Sequence, residues 1–176
     1  RKIFERFCCN DFEDKKYTSM NIDLIVVGKT DSPQITALLD DYIKRLNFYT
    51  KVTFVVLPDL KNRRTISAES QKRQEGEMLM RRFSEGDCVV LLDEHGAEMR
   101  SIEFATWLQK KMCSGTKRLC FVIGGPYGFS KEVYERADAK LSLSKMTFSH
   151  QIVRAIFAEQ LYRAFTIIRN EPYHHE

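Results

Sequence analysis

The chain has 176 residues, of which 43% are hydrophobic and 30% are charged, and its formal net charge is +4. These totals are ordinary for a soluble globular protein, and the length suits one domain with a substantial core. The mild basicity is compatible with nucleic-acid binding but does not require it. No apolar run approaches the roughly 20 residues of a membrane span, so no membrane association is expected.

Five cysteines, at positions 8, 9, 88, 113 and 120, form no C-x-x-C pair. No His/Cys spacing resembles a zinc site, so no metal is expected. An odd number of cysteines without a disulfide framework indicates a reducing compartment. The N-terminus is charged throughout and lacks a signal-peptide core, and the expected localisation is therefore cytoplasmic.

The first 19 residues differ in pattern from the rest of the chain. Charged and aromatic residues alternate there without a clean period, and a sharp strand pattern begins just after Met20. The sequence therefore predicts an N-terminal extension over 1–19 and a single domain over 20–176. A short helix packed on the domain is the competing interpretation of 1–19.

Strand and helix patterns alternate from Met20 onward. Strands are predicted at 22–27, 51–57, 88–93 and 119–123, with a candidate fifth at 141–144. Helices are predicted at 32–48, 67–83, 101–112, 130–138 and 150–170. The strands are continuous apolar runs, which indicates that both faces of the sheet are covered. The predicted fold is therefore α/β, an open and mainly parallel sheet with helices on both faces.

Nucleotide-binding motifs do not follow the first strand. The segment VVGKT at 26–30 lacks the glycine that a P-loop needs at position 23, where Asp23 stands. No G-x-G-x-x-G follows either, which argues against a dinucleotide fingerprint.

The segment LLDEHGAE at 91–98 carries Asp93, Glu94 and His95 at the end of a strand. These side chains could form an acid–base set. Adjacent residues on a turn point in different directions, which disfavours a metal site. A polar turn between strand and helix is the favoured interpretation.

The segment IGGPYG at 123–128 follows a buried strand with three glycines. Ligands in open α/β sheets bind beyond the carboxyl ends of strands, and glycine there lets a ligand approach the backbone. The alternative is a tight turn that needs a positive φ. From these residues alone the two interpretations carry equal weight.

Three further features lie near the C-terminus. The segment LSLSKMTFSH at 141–150 alternates hydroxyl and apolar side chains, which suits either an edge strand or a backbone that faces an adenine-like ligand. His150 and Arg154 are four residues apart and share one face of the last helix. The chain ends in NEPYHHE, which is interpreted as an ordered tail.

Taken together, VVGK, LLDEHG, FVIGGPYGFS, LSLSKMTFSHQIVR, AEQLYRAFTI and NEPYHHE occur in an order and spacing that resemble a known family. This family comprises the small SPOUT-class methyltransferases that act on N3 of a pseudouridine in the bacterial large ribosomal subunit. The resemblance covers nearly all of 20–176.

The resemblance implies a C-terminal trefoil knot, a homodimer, S-adenosylmethionine as the methyl donor, and 23S rRNA within the assembled ribosome as the acceptor. The family's cofactor-binding positions correspond here to Leu92, Gly124, Leu143, Ser144, Lys145, Met146, Thr147 and Phe148. The family tail usually has Lys or Arg where this chain has His175, which implies more pH-sensitive binding if that position contacts phosphate.

Methyl transfer from a sulfonium needs mainly in-line alignment, together with removal of the N3 proton. The candidate catalytic residues are His150 and His174 as general bases, with Arg154 placing a phosphate or stabilising charge on a ring oxygen. A methyltransferase of the same class that acts on tRNA and a non-catalytic nucleotide-binding α/β module remain the alternatives.

Overall fold

The structure is a computed structural model that describes residues 20–60 and 65–174. The predicted extension over 1–19 and the position of His175 lie outside the described residues. The strands are β1 (Asn21–Val27), β2 (Val52–Leu57), β3 (Cys88–Glu98), β4 (Arg118–Ile123) and β5 (Ala139–Ser142). The helices are α1 (Pro33–Leu46), α2 (Ala68–Met80), α3 (Ser101–Cys113), α4 (Lys131–Arg136) and α5 (Ile152–Ile168).

The five strands form one sheet in the order β2-β1-β4-β3-β5, and every strand pair is parallel. Alternate residues of a strand point to opposite faces, so each buried strand supplies two cores. Leu24 and Val26 pack on one face with residues of α1, α3 and α5. Ile25 and Val27 pack on the other face with residues of α2 and α4. The predicted α/β architecture is confirmed.

Strand β3 is longer than the sequence predicted. Its pairing with β5 runs to Leu92, where Leu141 is the partner, and resumes at Ala97, which pairs with the same Leu141. Residues 93–96 therefore bulge out of the ladder instead of forming a turn into α3. A Cβ at Gly96 would lie 2.6 Å from backbone atoms of Leu141, so only glycine allows β5 to pass this closely.

Two boundaries near the C-terminus also differ from prediction. Strand β5 covers Ala139–Ser142 instead of 141–144, and α5 begins at Ile152 instead of residue 150. The 142–149 segment is consequently a connection with its own turns. Threading of a trefoil knot is a property of the chain path beyond strand order, and it stays a prediction. Within the described residues, no helix combines the length and the apolar character that crossing a bilayer requires.

Candidate functional site

A cleft of about 570 Å³, the main cleft, opens beside the bulge of β3 and beyond the end of β4. It lies between residues 124–128, the glycine turn that follows β4, and the 142–149 segment. This is the edge of the sheet at which open α/β proteins bind ligands. Lys145 is not among its lining residues, and the Lys145 ammonium is directed instead to the Glu98 carboxylate, 3.9 Å away. The other predicted cofactor residues all line the cleft: Leu92, Gly124, Leu143, Ser144, Met146, Thr147 and Phe148.

The glycine turn is needed for packing within the protein, and its backbone also faces the main cleft. Gly128 has a φ of 77°, which a side chain rarely adopts. A Cβ at Gly124 would lie 3.1 Å from the Phe129 ring, and one at Gly125 would lie 2.4 Å from a carboxylate oxygen of the buried Glu75. The tight-turn interpretation of IGGPYG is therefore confirmed, whereas ligand binding at these glycines, which line the cleft, stays a prediction.

Local hydrogen bonds shape the 142–149 segment. The Ser142 hydroxyl donates to the Ser144 carbonyl at 3.0 Å, and the Ser144 hydroxyl accepts from the Met146 N–H at 2.9 Å. Short side-chain bonds of this kind hold a chain in turns rather than in a strand. The Thr147 hydroxyl donates to Glu94 at 3.3 Å and thereby joins this segment to the β3 bulge across the cleft. Met146 remains 76% exposed at the rim.

The β3 bulge brings Asp93, Glu94 and His95 into the lining of the main cleft. The Asp93 side chain is only 7% exposed. It accepts hydrogen bonds from the Tyr134 hydroxyl at 2.5 Å and from the His95 backbone N–H at 2.8 Å. The His95 ring nitrogen Nδ1 lies 3.3 Å from the same carboxylate. These residues thus face a cleft, whereas the favoured sequence interpretation was a plain polar turn.

The hydrogen bonds keep Asp93 ionised. Burial acts to raise the pKa of Asp93, but the bonds from Tyr134 and His95 outweigh burial, so the pKa lies below its ordinary value. Burial and the neighbouring Asp93 together raise the pKa of Tyr134 to about 12, so Tyr134 stays a neutral donor. Among the described residues that line the cleft there is no Lys or Arg. The cleft is therefore an anionic site that suits a cationic ligand.

Of the three predicted catalytic residues, only His150 lines the main cleft. It lies at the end of the 142–149 segment, two residues before α5, and is partly exposed. Histidine is the side chain that most often serves as a general acid or base in enzymes.

Arg154 is placed differently from the prediction. It is fully buried, and its guanidinium donates to the carbonyls of Val27 at 2.7 Å and Gly28 at 2.9 Å and to the Thr30 hydroxyl at 2.8 Å. Its Nε donates to the His150 carbonyl at 2.9 Å. Burial lowers the pKa of Arg154, with Asp59 and Asp31 opposing the effect. Arg154 therefore does not line the main cleft, and it links the start of α5 to the end of β1.

His174 lies in the tail beyond the other end of α5. The 17 residues of α5 span about 25 Å, so the tail is remote from His150 of the same chain. The Tyr173 ring packs edge-on against Tyr162, and its hydroxyl donates to Glu159 at 3.2 Å. Both ring nitrogens of His174 are buried and make no hydrogen bond to the described residues. The structure thus does not bring His150 and His174 together within one chain.

Sequence reasoning missed Tyr134 and Gln151. The Gln151 side chain accepts from the Asp31 N–H at 3.0 Å and donates to the Asp31 carboxylate at 2.8 Å. Its partner is 120 residues away in the sequence, and no local sequence pattern predicts such a contact. One sequence feature could have indicated Tyr134 as a site residue. It is the single aromatic residue of a short helix that directly follows the glycine turn.

Comparisons with a family model and with individual known proteins point to the same family. Residues 20–174 match the family model described as predicted SPOUT methyltransferase. A protein of Flavobacterium johnsoniae named ribosomal RNA large subunit methyltransferase H is 55% identical over 157 residues, which are 89% of this chain and 100% of that protein. Proteins of the same name from Christiangramia forsetii and Bacteroides fragilis are 55% and 52% identical, and each match covers 89% of this chain and 99% or more of the relative.

Proposed function

This chain belongs to the SPOUT methyltransferase family, and from that premise we propose that it methylates N3 of a pseudouridine in 23S rRNA on the assembled ribosome, with S-adenosylmethionine as the donor. The names of the relatives support ribosomal RNA of the large subunit as the acceptor. A ribosomal acceptor also entails that the protein acts in the cytoplasm.

The charge of the main cleft is the observation that carries the choice of donor. S-adenosylmethionine is cationic at its sulfonium and its ammonium, and the cleft presents Asp93 and Glu94 without a Lys or Arg among its described lining residues. A volume of about 570 Å³ lies within the range of small-molecule sites. The phosphates of ATP would be repelled there, which disfavours the alternative of a nucleotide-binding module.

The roles of individual residues follow from their positions. We assign donor binding to Leu92, Gly124 and residues 143, 144 and 146–148, and we leave out Lys145 because it does not line the cleft. When bound, the sulfonium supplies an activated methyl group, so the protein's work is to align donor and acceptor and to exclude water. Asp93 holds the cationic part of the donor, and Tyr134 keeps this carboxylate oriented.

Removal of the N3 proton is assigned to His150. His150 lines the main cleft, and histidine is the side chain that most often acts as a general base. His174 reaches such a cleft only if a second copy of the chain supplies it, because α5 separates the two histidines of one chain by about 25 Å. This separation supports a homodimer with sites shared between copies.

The deciding experiment incubates the protein with methyl-labelled S-adenosylmethionine and ribosomes from cells that lack it, and then maps the labelled nucleotide. Label on one pseudouridine of 23S rRNA is the expected result. Label on tRNA in a parallel incubation, with none on ribosomes, would overturn the acceptor and favour the tRNA alternative. Calorimetry that detects binding of ATP but not of S-adenosylmethionine would overturn the donor.

A further inference from the structure

A second cavity of about 410 Å³ lies at the opposite end of α5 from the main cleft. It forms where the C-terminal ends of α1 and α5 meet the loop before β2. Six residues line it: Arg45, Phe48, Tyr49, Tyr162, Arg169 and Glu171. None of the residues assigned above to donor binding or proton removal belongs to it.

The charge here is opposite to that of the main cleft. Arg45 and Arg169 line the cavity, the exposed Lys44 precedes Arg45, and the exposed Lys51 follows the lining residue Tyr49 by two positions. Two carboxylates adjoin these four cations: Glu171 accepts from the Tyr49 hydroxyl at 2.5 Å, and Asp41 accepts from Arg45 at 2.9 Å. The Arg169 side chain makes no ion pair with the described residues. A net positive surface therefore remains that can accept a phosphate.

Aromatic rings accompany these cations. Phe48 is 86% exposed, the largest exposure among the big apolar side chains of the described residues. Tyr49 is stacked on Phe165 with ring centroids 5.5 Å apart, and the Arg45 guanidinium lies 5.8 Å from the Tyr162 ring centroid. The Tyr rings are therefore fixed by the core, whereas the Phe48 ring is free to meet a flat ligand.

We propose that this surface binds an unpaired segment of RNA, with Arg169 and Arg45 contacting phosphates and Phe48 stacking on a base. A positive groove with aromatic side chains is the combination by which proteins hold single-stranded nucleic acid. The inference rests on the proposed function in so far as the RNA is the acceptor rRNA. It adds an RNA-binding surface about 25 Å from the main cleft of the same chain. The main cleft itself has an anionic lining and cannot attract phosphates.

The test measures binding of the full chain to a fluorescein-labelled single-stranded RNA oligonucleotide by fluorescence anisotropy at several KCl concentrations. Arg169→Glu should weaken binding about tenfold and flatten the salt dependence by about one phosphate. Phe48→Ala should weaken binding by about fivefold or more through lost stacking. Arg73→Glu is the matched control: Arg73 is an exposed arginine on α2, across the sheet, and its reversal should change binding less than about twofold.

Equal losses for Arg169→Glu and Arg73→Glu, or no loss for either, would overturn the proposal. So would a variant that binds RNA normally but changes the sedimentation of the protein, which would make this surface a contact between copies of the chain. Calorimetry with S-adenosylmethionine separates this inference from the proposed function. Donor binding without RNA binding would refute only the proposed RNA-binding surface. RNA binding at Arg169 without donor binding would refute only the proposed methyl transfer from S-adenosylmethionine.

Discussion

The Tyr134 hydroxyl donates a 2.5 Å hydrogen bond to the Asp93 carboxylate and thereby ties α4 to the bulge of β3 at the main cleft. Burial opposes the ionised form of Asp93, and this bond is one of those that lower its pKa in spite of burial. A carboxyl group with a lowered folded-state pKa contributes stability above its unfolded pKa of about 3.9 and loses that contribution as pH falls through the folded value.

Tyr134→Phe should therefore lower the free energy of unfolding by about 1 kcal/mol at neutral pH. The difference in Tm between wild type and variant should shrink as the pH falls through the lowered pKa that Asp93 has in the folded wild type, because protonation removes the charge that this hydrogen bond stabilises. Thermal unfolding followed by circular dichroism across this range measures the effect. Tyr127→Phe is the control, since Tyr127 is exposed and lies in the same cleft. A difference in Tm that is constant with pH would contradict the role given to Asp93.

Asp93→Asn should weaken binding of S-adenosylmethionine by about tenfold, because the carboxylate stabilises the cationic donor by roughly 1–2 kcal/mol in a partly buried site. Binding of S-adenosylhomocysteine, which has no sulfonium charge, should change less. Isothermal calorimetry with both ligands measures the contrast. Glu98→Gln removes a carboxylate from the same strand outside the cleft and should affect neither ligand. Equal losses for the two ligands would mean that Asp93 acts through the shape of the bulge.

Gly96→Ala tests the close passage of β5. Its Cβ would lie 2.6 Å from the Leu141 backbone, which cannot move aside as a side chain could. We expect a loss of about 3 kcal/mol or more in the free energy of unfolding, or failure to fold. Gly115→Ala provides the comparison. Gly115 has a φ of 78° and no atom within 4 Å of a built Cβ, so that substitution should cost about 1 kcal/mol in urea unfolding. Similar losses would argue against the steric constraint at Gly96.

The sheet could be predicted because strands that are buried on both faces have continuous apolar runs, such as 22–27 and 119–123. The β3 bulge could not, since Asp93 to Gly96 have the composition of a turn and are held in the strand only by pairing beyond them, at Ala97 and Glu98. Arg154 had the spacing of a polar face with His150. Its burial depends on carbonyls of Val27 and Gly28, more than 120 residues away, and only tertiary structure supplies them.

His150→Ala should lower kcat by about 100-fold or more if His150 accepts the N3 proton, and donor affinity should remain within about threefold of wild type. His174→Ala should lower kcat as well if a second copy completes the site. Methyl transfer to ribosomes under saturating donor measures both. Unchanged turnover in either variant would remove that histidine from the reaction.

Mixed dimers decide whether the two histidines come from different copies. If they do, a dimer of one His150→Ala chain and one His174→Ala chain contains one cleft with both substitutions and one cleft with neither. Random reassociation of the two inactive variants should then restore about a quarter of wild-type activity, because half of the dimers are mixed and each mixed dimer has one intact site. If both histidines served the cleft of their own chain, every site would carry one substitution, and the mixture would stay as inactive as its parents.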